Sequence, residues 1–91
     1  MQITIRKKRY TLRWVPRLKD KRGDCDPPHG QGKTIRIEMG QDEHLEFDTL
    51  IHEFLHAGLW DIDEEAVEQL ATDMARTLWK LGYRRSAAPG K

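Results

Sequence analysis

The sequence predicts an α+β domain: a small antiparallel sheet of about three strands packed on two helices. Three observations predict it. Up to residue 39, apolar residues recur at every second position in three separate runs, the spacing of half-buried strands. From residue 42 onward they recur every three or four residues in two longer runs, the spacing of amphipathic helices. The 91 residues suffice for one domain with one core.

The elements follow in order. Gln2 to Arg6 alternates, with Ile3 and Ile5 on one side, and Lys7-Lys8 offers a turn. Arg9 to Val15 alternates again, setting Tyr10, Leu12 and Trp14 against Arg9, Thr11 and Arg13. Together these read as a hairpin, ended by Pro16. Residues 19–32 are rich in charge, Gly and Pro, and read as an irregular loop. Lys33 to Met39 is a third strand with Ile35, Ile37 and Met39 facing inward, broken by Gly40-Gln41-Asp42. A first helix runs from Asp42 or Glu43 to about Leu59. A second runs from about Ile62 to Leu81, with Asp61 as N-cap and Glu64 three residues on. Its apolar stripe is Val67, Leu70, Ala71, Met74, Ala75 and Leu78, and Gly82 stops it. Residues 1–85 form the single domain, and residues 86–91 read as a flexible tail.

Composition narrows the class of protein. No stretch approaches the ~20 apolar residues of a membrane span, and the N-terminus lacks the apolar core of a signal peptide. With one cysteine, Cys25, no internal disulfide can form, and a cytoplasmic location is expected. Net charge is +1, but residues 1–22 hold nine Lys or Arg against one acid, Asp20. That imbalance fits either a solvated strand face or a nucleic-acid surface carried by the hairpin.

One motif carries chemistry. His52-Glu53-Phe54-Leu55-His56 reads H-E-x-x-H within the first helix. Histidines four apart share a helix face, so both imidazoles can reach one Zn²⁺ ion. Glu53, beside the first histidine, is placed to take a proton from a water activated there. A catalytic zinc needs a third protein ligand. At about 100° per residue, Glu64 falls on the edge of the second helix's apolar stripe. Glu68 follows at about 40° and Glu65 at about 100°, toward solvent. A carboxylate on a core-facing edge calls for a partner. Glu64 is therefore the expected ligand, with Glu65 as the alternative. Glu68 is the expected hydrogen-bond partner of a ligand histidine's other ring nitrogen.

The run His52-Glu53-Phe54-Leu55-His56 followed by Glu64-Glu65-Ala66-Val67-Glu68-Gln69-Leu70-Ala71 resembles a minimal gluzincin, a zinc metallopeptidase with two histidines and a glutamate from the next helix. The second segment is similar to the E-x-x-A-N-x-F-A pattern of the repressor-cleaving, ImmA-type peptidases. Val67, Glu68 and Leu70 stand where that pattern has A, N and F. The chain also resembles short metallopeptidase-like proteins encoded in bacteriophages and bacterial genomes. The resemblance implies a zincin-like fold, a zinc-dependent endopeptidase in a bacterial or phage-infected cell, and a peptide or protein substrate laid along an edge strand at 33–39. It departs from the family in lacking a helix before the first strand and in the short spacing from His56 to Glu64. Metzincins place the third ligand six residues past the second histidine, where this chain has Ile62.

Other residues have simpler readings beside functional ones. Tyr83 and His44 are candidate oxyanion donors or plain structural side chains. Cys25 is a candidate fourth metal ligand or a small buried thiol. Trp14, Trp60 and Trp79 read as core anchors. Beside the peptidase stand two other expectations: a non-catalytic, zinc-stabilised protein-binding module such as a phage accessory protein, and a nucleic-acid-associated protein using the basic hairpin.

Overall fold

A computed structural model describes residues 1–85. The tail expected over 86–91 lies outside the described residues. β1 (Gln2–Ile5) and β2 (Lys8–Val15) form the expected antiparallel hairpin, with Ile3 opposite Tyr10. Its turn is Arg6-Lys7, one residue earlier than expected from composition. Both residues have positive φ (50° and 68°), the two-residue turn whose twist matches the strands.

The sheet has four strands, not three, in the order β1-β2-β4-β3, and it is mixed. The extra strand, β3 (Gly23–Cys25), lies within the stretch expected to be irregular. Three residues, Gly-Asp-Cys, are too few and too polar to alternate visibly. β4 (Thr34–Glu38) runs parallel to β2, with Leu12 opposite Ile35 and Trp14 opposite Ile37. A parallel partner needs a long crossover, which residues 16–33 supply. On its other side β4 pairs antiparallel with β3. The strand expected at the edge is thus central, paired on both sides, and β3 holds the edge. The observed architecture is α+β.

The sheet's inner face carries Ile5, Tyr10, Leu12, Ile35 and Ile37, all buried against Ala57 of α1 (Glu43–Gly58). The Tyr10 hydroxyl donates to the Ala57 carbonyl at 3.3 Å. Met39, expected inside, is exposed because it lies past the end of β4. α2 (Glu64–Lys80) packs on α1 through the small buried residues Val67, Ala71 and Ala75, which let the two helices approach closely. Among the described residues α2 contacts α1 and no strand. Leu70 and Met74, expected on the buried stripe, are therefore exposed: α2 has only one neighbour to cover them. Trp14 and Trp79 are half-buried. Trp60 is 40% exposed and is no core anchor.

Candidate metal centre

Asp42 caps α1 by accepting from the His44 amide at 3.0 Å. Two turns further on, the His52 and His56 rings stand on one face with centroids 4.7 Å apart. The chain reverses tightly after Gly58, and α2 begins at Glu64, capped by Asp63, whose Oδ1 accepts from the Ala66 amide at 2.9 Å. Asp63, not Asp61, is the cap. This puts Glu64 in the first helical position, facing the histidines across the turn.

The Glu64 carboxylate spans both rings. Its Oε1 lies 3.1 Å from His52 Nε2 and its Oε2 lies 2.7 Å from His56 Nε2. One ligand atom from each of the three residues falls within 4.8 Å of the others. Donors of a tetrahedral zinc sit roughly 3.3 Å apart. Two imidazole nitrogens and a carboxylate oxygen are also the donor types zinc takes in open sites. The His52, His56 and Glu64 group can hold a metal ion. Glu64 arrives there for a different reason from the one expected: its side chain is 65% exposed and is not on a buried edge. The tight turn and the cap, not the apolar stripe, aim it. Glu65 is turned aside, its Oε1 accepting from Gln69 Nε2 at 3.3 Å. Glu68 lines the same cleft, but among the described residues it makes no hydrogen bond to either imidazole.

Glu53 lines the same cleft on its sheet side and is only 7% exposed. Residue 23 makes this possible. A Cβ on Gly23 would lie 2.8 Å from Thr49 Cγ2 and 2.9 Å from Glu53 Cγ, so β3 can lie against this face only with glycine there. Burial pushes the Glu53 carboxyl up from 4.5 to about 7; the His52 ring lowers it, and Asp24 and Glu64 raise it. Burial and the Glu53 charge push the Cys25 thiol up to about 12. Among the described residues Cys25 is not one of the grouped donors, which are His52, His56 and Glu64.

The cleft has a volume of about 1020 Å³ and is walled by α1, the start of α2, β3 and residues 17–22. Four of the nine basic residues of the N-terminal segment (Arg17, Lys19, Lys21 and Arg22) border it. Part of the charge asymmetry seen in the sequence therefore belongs to this site. Trp60 lines it beside His56. His44 and Tyr83 do not: His44 stacks on Trp79 with centroids 4.8 Å apart, and Tyr83 lines a separate apolar hollow with Phe47, Leu50 and Leu78. No protein-family model, curated protein or solved structure matches this chain.

The open edge of β3 borders the same cleft. The Glu38 amide donates to the Arg22 carbonyl and the Asp26 amide to the Thr34 carbonyl, each at 2.9 Å. Residues 22, 24 and 26 thus turn their backbone groups toward β4. By antiparallel alternation, Gly23 and Cys25 turn theirs outward. Sequence reasoning missed this edge and Gly23. Its only trace was a lone glycine, which in a loop-like stretch reads as a turn. Among the described residues, no helix is long and apolar enough to cross a membrane.

Proposed function

We propose that the chain is a zinc-dependent endopeptidase of a minimal, gluzincin-like kind, with Glu53 as general base. The observation that carries this reading is a buried carboxyl beside a three-donor cluster in an open cleft. A metal that only tied two helices together would have no use for it.

His52, His56 and Glu64 would hold the ion. When bound, zinc supplies a Lewis acid that polarises the scissile carbonyl and acidifies a water at neutral pH. Glu53 accepts the water's proton and passes a proton to the leaving amine. The substrate is a peptide or protein segment added as a further strand on the outward groups of Gly23 and Cys25. Along 33–39, the place expected from the sequence, β4 already has a partner on each side.

The non-catalytic reading draws support from one feature. Among the described elements α2 contacts α1 and no strand, so a metal between the two helices would add a second tie. One experiment separates the two. The zinc-loaded protein is offered an internally quenched hexapeptide library, with and without chelator, alongside Glu53→Gln. Turnover that needs zinc and is lost in Glu53→Gln supports the peptidase. Zinc binding without turnover leaves the non-catalytic module.

A further inference from the structure

A short bridge, made by none of the metal donors, fixes where the open edge of β3 lies relative to Glu53. Gly40 turns the chain with φ 80° after β4, which folds the side chain of Gln41 back over the sheet. Gln41 Nε2 donates to the Glu38 carbonyl at 2.8 Å and to the Arg22 carbonyl at 3.1 Å. Its Oε1 lies 3.0 Å from the Thr49 hydroxyl. Only this orientation of the amide satisfies all three, since two neighbours are carbonyls and the third can donate. The Thr49 hydroxyl also lies 2.9 Å from the Leu45 carbonyl, and its single proton is shared between the two acceptors.

The three anchors belong to three elements. Glu38 ends β4, Arg22 precedes β3, and Thr49 sits one helical turn before Glu53 on α1. The Arg22 carbonyl also accepts from the Glu38 amide, so both of its lone pairs are used and the strand entrance is held in register. Thr49 and Glu53 are the two side chains that Gly23 packs against. One amide therefore links the edge strand, its neighbour and the base-bearing helix at their point of closest approach.

We propose that Gln41 is a positioning residue that holds the peptide-accepting edge of β3 at a fixed distance from Glu53. This rests on the peptidase reading for its catalytic consequence, but the tie itself can be tested without turnover.

The test compares Gln41→Glu with wild type and Thr49→Ser in the zinc-loaded protein. Glu has nearly the shape of Gln and keeps the acceptor facing Thr49, but it sets an oxygen against the two carbonyls. Thr49→Ser keeps the hydroxyl and loses only the methyl that meets Gly23, so it separates loss of that packing from loss of the Gln41 tie. In Gln41→Glu, amide hydrogen exchange should rise at least tenfold in residues 22–26 and less than threefold in residues 2–12. Zinc affinity should stay within threefold, and KM for the best library peptide should rise at least tenfold with kcat changed less. Equal exchange increases in both regions, no increase in residues 22–26, or an unchanged KM would overturn the proposal. If wild type cleaves no peptide, the peptidase reading falls by itself. The exchange result then decides: a selective rise in residues 22–26 keeps Gln41 as the tie, and its absence removes it.

Discussion

Exchanging Glu53 for Gln should stabilise the metal-free protein at high pH while abolishing turnover of the zinc-loaded one. The folded-state carboxyl stands at about 7 against 4.5 for a free one, so folding favours its protonated form. A raised carboxyl contributes stability that is fully present below pH 4.5 and is lost as pH rises through about 7. At about 1.36 kcal/mol per pH unit, the whole interval is worth roughly 3 kcal/mol, of which about 2.5 kcal/mol falls between pH 5 and pH 8. The amide introduced by Glu53→Gln would not titrate. Urea denaturation in chelator, followed by tryptophan fluorescence, gives the stability of both chains at each pH. The difference between chains reads the Glu53 charge together with its couplings to the groups around it. The stability of Glu53→Gln relative to wild type should be about 2.5 kcal/mol more favourable at pH 8 than at pH 5. In the same variant, zinc binding should persist and peptide cleavage should fall below detection. A gap that does not change with pH would refute the buried charge. Cleavage at the wild-type rate would refute its role as base.

The remaining predictions concern the donors and their supports. Glu64→Ala should weaken zinc binding by more than about a hundredfold and remove the rise in Tm that zinc gives, whereas Glu65→Gln should change neither; competition with a chromogenic chelator and calorimetry read both. Gly23→Ala should cost about 1–3 kcal/mol, because its methyl would meet Thr49 and Glu53 at under 3 Å, and should lower activity with little change in zinc affinity. Asp63→Ala should cost about 1 kcal/mol of stability and weaken zinc binding, since the cap also aims Glu64; an effect on stability alone would mean that Glu64 finds the histidines without it.

The helix holding His52 and His56, the buried faces of β2 and β4, and the helical hairpin were legible because each follows from spacing along a single element. An i,i+4 pair on a helix needs no knowledge of the rest of the chain. Alternation at period two likewise names Tyr10, Leu12, Ile35 and Ile37 as inward wherever the sheet packs. The same logic overreaches on α2. Periodicity makes its stripe as wide as the apolar residues allow, but one neighbouring helix buries Val67, Ala71 and Ala75 and leaves Leu70 and Met74 exposed.

The sequence by itself determined that two imidazoles share a helix face with a carboxylate next to the first, and that an acidic helix start follows within reach. Those facts depend on torsions repeated over a few residues. Tertiary structure decided the rest: that Glu64 and not Glu65 closes on the histidines, that Glu53 is buried, and that β3 and not residues 33–39 forms the open edge. Each depends on how far apart two elements lie. That distance is set by a turn capped at Asp63, by a missing side chain at Gly23, and by one amide at Gln41. Contacts of this kind join residues far apart in the chain and leave no period in the sequence to read.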